Sequence, residues 1–249
     1  MQAVILAGGL GTRLGPLTRK VPKPMVPVAG VPYLEHQLRL LARQSFRDVL
    51  LLTGYLGEQI ESYFGSGARL GMRLRYSRES QPQGTGGALR DARRHLAETF
   101  LLLYGDSLLP IQYAAAARRL KDSAALGVVV VYRDPSGETA VRPNVALDRG
   151  LVTRYDKTAT AGPVLEYVEA GVSCFRREVL DLLPAAMPVS FEQCVFPRLI
   201  ARRQLAGLPT SQRFYDIGTP ERLQAIEEYL RAPSEPSGRD LSHEQPHYR

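Results

Sequence analysis

Three glycines and two basic residues near the N-terminus have the types and spacing of a phosphate-binding loop. Gly8, Gly9 and Gly11 follow an apolar segment, and they can expose backbone N–H groups because no Cβ atom blocks an approaching anion. Arg13 supplies a planar permanent cation after them, and Lys23 a compact one. This arrangement predicts contacts to a polyphosphate. The alternative is a tight turn between a strand and a helix, with both basic side chains exposed to solvent.

Two common types of phosphate loop do not match this pattern. A dinucleotide-binding fingerprint that began at Gly9 would need its third glycine at position 14, where the chain has Leu14. A P-loop would need Gly-Lys-Ser or Gly-Lys-Thr after the glycines, and the chain has neither there. The loop at 8–13 is therefore neither of these two types.

Apolar strands and amphipathic helices alternate around this loop in the first half of the chain. Strands are predicted at 3–7, 49–53, 70–76 and 100–104, and helices at 32–43, 56–64 and 86–96. The alternation predicts an α/β fold with a mostly parallel central sheet and helices on both faces. Ligands gather at the carboxyl ends of strands in such sheets. The loop at 8–13, the loop after Thr53 and Gly105-Asp106 all lie at such ends.

The second half is richer in strands joined by short polar connections. Strands are predicted at 127–132, 144–147, 151–155 and 166–175, and helices at 176–183, 191–203 and 220–230. We predict one domain over 1–231, with halves of about 1–125 and 126–231. Residues 232–249 are rich in proline, serine and charge, which predicts a mobile tail. His243 and His247 lie in that tail, so no metal role is expected for them.

The composition limits the class of partner and the compartment. The net charge of +7 suits an anionic partner, which can be a nucleotide, a sugar phosphate or a nucleic acid. The arginines are scattered along helices rather than interleaved with aromatic residues, which favours a solvated surface over a nucleic-acid interface. Cys174 and Cys194 are expected to be reduced core thiols. No apolar run approaches the ~20 residues that span a bilayer, and no signal-peptide pattern is present. A cytoplasmic protein without a membrane partner is expected.

Several segments together resemble the sugar-nucleotide pyrophosphorylases, which are sugar-1-phosphate nucleotidylyltransferases. The most specific segment is Leu6-Ala-Gly-Gly-Leu-Gly-Thr-Arg-Leu14, followed by Pro16-Leu-Thr18 and Lys23-Pro24. The resemblance continues, in the family's order, through Gly84-Thr-Gly-Gly-Ala88, Gly105-Asp106, Asp156-Lys157, Glu169-Ala-Gly171 and Asp216-Ile-Gly-Thr-Pro220. It covers about residues 1–231. It implies a Rossmann-like nucleotidyltransferase fold with a β-rich, sugar-binding extension.

The resemblance implies that the first half binds a nucleoside triphosphate and Mg²⁺. The implied nucleotide contacts are Leu6, Ala7, Gly8, Gly9, Gly11, Thr12, Arg13, Glu79, Gly84 and Thr85. The implied catalytic residues are Arg13, Lys23 and Asp106. A carboxylate that ends a strand beside a phosphate loop is a candidate Mg²⁺ ligand, and the resemblance pairs Asp106 with Asp216 in this role. The alternatives are a turn or cap aspartate for Asp106 and a residue before a helix start for Asp216.

Glu79 stands where family members place a side chain that reads the base. A carboxylate accepts two hydrogen bonds, which matches the N1–H and N2–H₂ donors of guanine. Uracil and thymine present one imide donor between two carbonyl acceptors, so an amide would suit them better. This favours GTP, although Gln81 and Gln83 stand close by and are alternative readers.

The resemblance assigns the sugar phosphate to residues of the second half. Lys157 is implied to hold the phosphate, and Asp156 the sugar hydroxyls. Glu169 and Gly171 match the position that contacts the sugar ring, and Asn144 is a further candidate for the same pocket. Two residues depart from the family's common pattern, because Asp156 replaces a glutamate and Glu169 an asparagine. For Glu169 the alternative is a carboxylate at a strand edge.

The implied reaction is an in-line attack by a sugar-1-phosphate oxygen on the α-phosphorus of the nucleotide, with release of pyrophosphate. The attacking phosphate is already anionic, so no general base is required, and the sequence offers no Ser/His/Asp or Cys/His set. GTP with a mannose-type or heptose 1-phosphate is favoured. Members that use UTP, CTP or dTTP remain open alternatives. Because family members often form dimers or tetramers, a homo-oligomer is expected.

Two alternatives from other classes are disfavoured. A non-catalytic nucleotide sensor on the same scaffold need not retain the full charged set of Arg13, Lys23, Asp106, Lys157 and Asp216. A glycosyltransferase with a similar nucleotide fold would need an Asp-x-Asp motif, and the chain has Gly105-Asp-Ser107 instead.

Overall fold

The computed structural model describes residues 1–158 and 164–232. The predicted tail beyond residue 232, with His243 and His247, lies outside the described residues. The strands are β1 (Gln2–Ala7), β2 (Pro27–Val28), β3 (Val31–Pro32), β4 (Asp48–Thr53), β5 (Arg73–Arg78), β6 (Thr99–Tyr104), β7 (Ser107–Leu108), β8 (Gly127–Arg133), β9 (Val145–Asp148), β10 (Leu151–Tyr155), β11 (Tyr167–Arg176), β12 (Leu205–Thr210) and β13 (Tyr215–Asp216). The helices are α1 (Tyr33–Arg43), α2 (Gly57–Phe64), α3 (Gly84–Asp91), α4 (Ala114–Lys121), α5 (Phe191–Ala201) and α6 (Pro220–Arg231). Short 3₁₀ helices at Thr12–Thr18, Lys23–Met25, Ala68–Leu70, Arg93–His95 and Arg177–Leu182 complete the list.

Nine strands form one central sheet in the order β5-β4-β1-β6-β11-β8-β12-β10-β9. The first four strands in this order, β5, β4, β1 and β6, are parallel to one another. Strand β11 is antiparallel to both of its neighbours, β6 and β8, and only the β8–β12 pair of the second half is parallel. The sheet is therefore mixed. The prediction of a mostly parallel sheet describes the first half of the chain and is wrong for the second, because β11 runs back between two strands of opposite halves.

Strand β1 shows why the apolar runs form the centre of the fold. Its residues are apolar after Gln2, and Val4 and Ile5 have no exposed surface. Ile5 packs in one hydrophobic cluster with Leu38 of α1 and Ile60 of α2, whereas Val4 packs in another with Val195 of α5. Successive side chains of a strand point to opposite faces, so a run without polar positions can be buried on both.

Helix α4 and strand β12 escaped prediction, and both have weak sequence signals. The two-residue strands β2, β3, β7 and β13 also escaped it. Helix α4 begins with four alanines, Ala114 to Ala117, so its hydrophobic periodicity is slight. Strand β12 contains Gly207 and Pro209, which are typical of turns rather than central strands. Strand β10 pairs with β12 at Ala206, near the start of β12, so Pro209 lies beyond the part of β12 that pairs with β10. Long-range pairing with β8 decides the conformation of this segment.

Other predicted elements differ at their ends or in type. The predicted strand at 70–76 begins only at Arg73, because a 3₁₀ turn and Gly71 precede it. The predicted helix at 86–96 is α3, which starts at Gly84 and ends at Asp91. The predicted helix at 176–183 is a 3₁₀ helix. No helix among the described residues is both long and apolar enough to cross a bilayer.

Strand register brings the phosphate loop and the Gly105-Asp106 turn together. Leu6, near the end of β1, pairs with Tyr104 at the end of β6, and Ala7 pairs with Thr53 at the end of β4. The Gly105 N–H donates to the Leu6 carbonyl at 2.8 Å. The carboxyl ends of three parallel strands therefore meet at one edge of the sheet.

Candidate active site

A pocket of about 290 Å³ lies over the carboxyl ends of these strands. Predicted residues that line it are Leu6, Ala7, Gly8, Gly9, Lys23, Glu79, Gly84, Thr85 and Asp106. The rest of its lining is Leu10, Pro24, Leu52, Pro82, Ala88, Tyr104 and Gly105. The structure thus brings together the glycine loop, the lysine, the aspartate and the start of α3, which are far apart in the sequence.

The second part of the glycine loop leads away from this pocket. Gly11 adopts φ 65° and precedes a 3₁₀ helix from Thr12 to Thr18. Arg13 lies in that helix with its side chain exposed, and Gly11, Thr12 and Arg13 are outside the described pocket lining. The loop is therefore divided. Gly8 and Gly9 face the pocket, while Arg13 stands on the exposed side.

Lys23 and Asp106 form an ion pair at the pocket. The Lys23 ammonium donates to Asp106 Oδ2, and Lys23 is only 8% exposed. The Asp106 side chain is 34% exposed and also accepts from Ser107 Oγ at 3.4 Å. A buried ammonium without a partner would be costly, so the carboxylate stabilises the lysine in its charged form.

The backbone next to Asp216 pairs with the backbone of Asp106, but the Asp216 carboxylate has hydrogen-bond partners of its own. Strand β13 pairs with β7, and the Ile217 N–H donates to the Asp106 carbonyl at 3.1 Å. The Asp216 carboxylate accepts from the Gly218 N–H at 2.6 Å and from Arg222 Nη1 at 3.2 Å. Among the described residues, no group of three or more His, Cys, Asp and Glu side chains is arranged to hold a metal ion.

The donor chemistry at the pocket fits a hard cation in part. Asp106 offers carboxylate oxygens, which Mg²⁺ prefers, and Mg²⁺ needs few protein ligands because phosphate oxygens and water complete its shell. Asp216 fits as a second ligand only if its carboxylate exchanges Arg222 for the metal. The predicted metal pair therefore stays a prediction, with Asp106 the residue whose surroundings suit it.

Glu79 lies in the pocket against the glycine loop. A Cβ atom added to Gly8 would lie 3.0 Å from Glu79 Oε1, and one added to Gly54 would lie 2.8 Å from it, so Glu79 packs closely against both glycines. Glu79 Oε2 accepts from the Gln83 N–H at 3.1 Å. Burial raises the pKa of the Glu79 carboxyl, the Gln83 hydrogen bond lowers it and the charge of Asp91 raises it.

The two alternative base readers are differently placed. The Gln83 side chain donates to Asp91 Oδ2 at 2.7 Å, so its amide is engaged along α3. Gln81 is exposed and outside the described pocket lining. Of the three candidates, Glu79 is the one that faces the pocket.

The start of α3 is fixed by the segment before α5. The Gly86 N–H donates to the Val189 carbonyl and the Val189 N–H donates to the Gln83 carbonyl, both at 2.9 Å. Gly84 adopts φ 74°, and the Val189 backbone lies against it, so a side chain there would be strained and would collide. The glycine-rich start of α3 thus has a packing role that the sequence pattern did not predict.

Most predicted sugar-side residues form one buried group. The Asn144 Oδ1 atom accepts from the Glu169 N–H at 2.9 Å, and Glu169 Oε1 accepts from the Gly171 N–H at 3.1 Å. The Lys157 ammonium lies 5.6 Å from the centre of the Tyr104 ring. Since Tyr104 also lines the pocket, this group adjoins the phosphate loop.

Glu169 has a raised pKa in this group. Burial is the main cause and raises its pKa to about 7, while the Lys157 charge lowers it and the nearby Glu192 carboxylate raises it. Gly171 follows at an irregularity of β11, with φ 77°. A Cβ atom there would lie 2.6 Å from the Ser107 Cβ atom.

Asp156 is engaged locally rather than with this group. Its Oδ1 atom accepts from the Thr158 N–H at 2.8 Å and from Thr158 Oγ1 at 2.9 Å, and its Oδ2 atom accepts from Arg154 at 3.1 Å. These contacts lower the pKa of Asp156, with the Thr158 backbone hydrogen bond the largest cause. The carboxylate shapes the turn before residue 159, which does not support its predicted contact with sugar hydroxyls.

Sequence reasoning gave no role to Tyr104, which lines the pocket, or to Glu192, which accepts from the Tyr104 hydroxyl. Tyr104 directly precedes Gly105-Asp106 at a strand end, so the rule that ligands gather at strand ends could have found it. Glu192 follows Ser190, the N-cap of α5. An acidic residue in a first helical turn is ordinary, so nothing in the sequence marked it.

The chain is similar in sequence to known proteins of one family. Residues 2–232 match a family described as "Nucleotidyl transferase". The mannose-1-phosphate guanylyltransferase of Mycobacterium tuberculosis is 35% identical over 226 residues, which is 89% of this chain and 62% of that protein. The D-glycero-alpha-D-manno-heptose 1-phosphate guanylyltransferase of Aneurinibacillus thermoaerophilus is 30% identical over 229 residues, 89% of this chain and 94% of that protein. A UTP–glucose-1-phosphate uridylyltransferase of Synechocystis sp. is 29% identical, over 91% of this chain and 62% of its own. The chain thus spans about 62% of the length of two of these three relatives.

Solved structures show the same fold at low sequence identity. A candidate glucose-1-phosphate thymidylyltransferase from Bacillus anthracis has a TM-score of 0.81 at 20% identity, covering 95% of this chain and 98% of that one. HddC from Yersinia pseudotuberculosis, complexed with GMP-PN, has a TM-score of 0.76 at 23% identity, covering 92% of this chain and 99% of that one.

Proposed function

The chain belongs to the nucleotidyl transferase family, in its sugar-1-phosphate nucleotidylyltransferase branch, and from this premise we propose its reaction. It joins a nucleoside triphosphate to a sugar 1-phosphate and releases pyrophosphate. The observation that carries the proposal is the Lys23–Asp106 ion pair in a pocket lined by Gly8 and Gly9. A buried cation, a carboxylate and glycine-exposed amides form a set suited to a polyphosphate with its metal ion.

The nucleotide phosphates bind along the glycine loop. The backbone amides of Gly8 and Gly9 approach the phosphates, and Lys23 neutralises charge at the α-phosphorus as it becomes five-coordinate. Arg13 holds the leaving pyrophosphate from the exposed side of the loop, where its guanidinium suits a bidentate contact. Losing one such contact in a site of this kind costs on the order of a hundredfold in rate.

The sugar phosphate enters from the second half and needs no general base. Its oxygen is already anionic, so catalysis consists of alignment and neutralisation of charge between two anions. Lys157, beside Tyr104, aligns the attacking phosphate. Glu169 and Asn144, joined by a hydrogen bond, face the sugar hydroxyls. Asp156 acts through the turn that it shapes.

Mg²⁺ is the proposed metal, with Asp106 as its first protein ligand and Asp216 as a second after exchange of Arg222. Bound there, it would supply positive charge that offsets the charge of the phosphates. Lys23, which is paired with Asp106 in this structure, is the side chain proposed to contact the α-phosphate.

GTP is the proposed nucleotide, with a mannose-type or heptose 1-phosphate as co-substrate. Glu79 lines the pocket and can accept from the two donors of guanine. Two of the relatives are named as guanylyltransferases of mannose and heptose 1-phosphates, which supports the same choice. UTP and dTTP are the alternatives, since the Synechocystis relative is named as a uridylyltransferase and the Bacillus structure as a candidate thymidylyltransferase.

The experiment is pyrophosphate release from GTP, UTP, CTP, dTTP and ATP, each with a panel of sugar 1-phosphates and Mg²⁺. Release that requires both a nucleotide and a sugar phosphate is the expected result, with the highest kcat/KM for GTP. No release across a broad panel, from protein that is folded by circular dichroism, would favour a non-catalytic sensor instead.

A further inference from the structure

Glu192 is a buried carboxylate that accepts hydrogen bonds from three hydroxyl groups, those of Thr85, Tyr104 and Ser190. It lies in the first turn of α5 and is only 4% exposed. Its Oε2 atom accepts from Thr85 Oγ1 at 3.0 Å and from Ser190 Oγ at 2.7 Å. Its Oε1 atom accepts from the Tyr104 hydroxyl. A buried polar group is costly unless it is hydrogen-bonded, and these three hydroxyl donors satisfy both oxygens of the carboxyl group.

The contact with Thr85 fixes the start of α3. The Thr85 hydroxyl donates a hydrogen bond to Glu192, and its oxygen accepts one from the Phe191 N–H at 2.8 Å. A hydroxyl has one donor, so Thr85 has no proton left for a nucleotide. Thr85 therefore ties α3 to α5, and its neighbour Gly84 is held in place at the pocket wall.

The contact with Tyr104 fixes a second residue of the pocket lining. Tyr104 lines the pocket at the end of β6, and the Lys157 ammonium lies 5.6 Å from its ring centre. Without the bond to Glu192, the Tyr104 ring could turn about its side-chain torsions and shift the wall that Lys157 lies against. One carboxylate thus holds Thr85 at the start of α3 and Tyr104, which adjoins Lys157.

We propose that Glu192 is a positioning residue that couples the start of α3 to the sugar-phosphate side of the site, through Thr85 and Tyr104. This inference rests on the proposed function, because in-line transfer requires both substrates to be aligned at once. Glu192 itself touches neither substrate. A misplacement of about 1 Å in such a reaction costs on the order of a hundredfold in rate, while each substrate alone can still bind.

The test compares wild type with Glu192→Gln, which keeps the shape but replaces one acceptor oxygen by a donor. We expect kcat to fall roughly 10- to 100-fold, while the KM values of nucleotide and sugar phosphate change less than about threefold. Glu227→Gln, in an exposed pair with Arg231 on α6, is the matched control and should keep wild-type kinetics.

Tyr104→Phe supplies a second variant that leaves the carboxylate in place and removes one hydroxyl. We expect it to lower kcat by roughly 3- to 10-fold. The double variant Tyr104→Phe/Glu192→Gln should lose little more than Glu192→Gln alone, because both changes break the same bond.

The outcomes separate the two proposals. If wild type turns over and both single variants keep its kcat, or if losses appear wholly in KM, the positioning role is wrong and the proposed function stands. If the losses in kcat multiply in the double variant, Glu192 does not act through Tyr104 and the coupling is overturned. A wild type that never releases pyrophosphate overturns the proposed function, and this inference with it.

Discussion

The Lys23 ammonium donates a hydrogen bond to Asp106 Oδ2, which joins residues 83 positions apart in the sequence. The lysine lies in a 3₁₀ helix after the glycine loop, and the aspartate follows the end of β6. Each therefore stabilises the other's charge in the pocket. Because both are also assigned to catalysis, this pair connects the stability of the site with its chemistry.

Asp106→Asn should separate these two contributions. Turnover is expected to fall at least roughly a hundredfold, since the amide is a poor metal ligand and no longer balances Lys23. The free energy of unfolding should fall by about 1–3 kcal/mol, because a buried ammonium loses its ionic partner. Steady-state kinetics and urea denaturation measure the two effects. Asp181→Asn, in an exposed pair with Arg93, is the control and should change neither. Turnover close to wild type would show that Asp106 has no catalytic role.

Glu79→Gln should alter the choice of base. The carboxylate accepts two hydrogen bonds, whereas the glutamine amide offers one acceptor and one donor, which suits uracil better than guanine. We expect kcat/KM for GTP to fall roughly 100-fold or more, because guanine donors lose a partner in a desolvated pocket. The value for UTP should hold or rise. Competition between the two nucleotides measures the ratio directly, with Glu58→Gln, in an exposed pair, as control. An unchanged ratio would show that another residue reads the base.

Gly171→Ala should destabilise the sugar-phosphate side. Its φ of 77° is unfavourable for alanine, and the new Cβ atom would lie 2.6 Å from the Ser107 Cβ atom. Gly71→Ala is the matched control, because its φ of 64° has the same backbone penalty but no heavy atom lies within 4 Å of the added Cβ. We expect a loss of about 1 kcal/mol for Gly71→Ala and about 2–4 kcal/mol for Gly171→Ala. If both variants lost the same free energy of unfolding in urea denaturation, β11 and β7 would be able to move apart around the new methyl group without cost.

Glu169 should make stability fall as the pH rises. Burial raises its pKa from the ordinary 4.5 to about 7, so between these values the folded protein holds a proton that the unfolded chain has released. Unfolding is then favoured by rising pH, and the penalty is complete above pH 7. Relative to Glu169→Gln, the unfolding free energy of wild type should fall by roughly 3 kcal/mol at most between pH 4 and pH 8. Urea denaturation of both proteins across this range tests it. Parallel pH curves would show that Glu169 titrates normally.

The parts of the fold that were predictable are those with strong local patterns. The apolar runs of β1, β4 and β6 and the periodicity of α1 are local, so the sequence predicts them to within a residue or two. The position of β11 between β6 and β8 is a long-range choice of partner strand. No periodicity along the chain encodes that choice, so the mixed sheet could not be read from the sequence.

The candidate site divides in the same way. Glu79 and Asp106 follow the ends of β5 and β6 at one edge of the sheet, and Lys23 reaches the same pocket from a 3₁₀ helix. The resemblance to the family was specific enough to predict these three residues. The partners of Asp216 and Asp156 depend on side-chain geometry, and Arg222 and Thr158 occupy carboxylates that motif reasoning had left for ligands. Glu192 was invisible for the complementary reason, since the hydroxyls of Thr85 and Tyr104, both distant in the sequence, give meaning to an otherwise ordinary helix-start glutamate.

The most direct test of the central claim is the fate of labelled GTP. With mannose 1-phosphate or a heptose 1-phosphate and Mg²⁺, label at the α-phosphate should appear in a GDP-sugar. Label at the γ-phosphate should appear in pyrophosphate, and both products should require the sugar phosphate. This result would establish attack at the α-phosphorus. Release of the γ label as inorganic phosphate, or its transfer to the sugar phosphate, would contradict the account, because the pocket would then cleave a different bond.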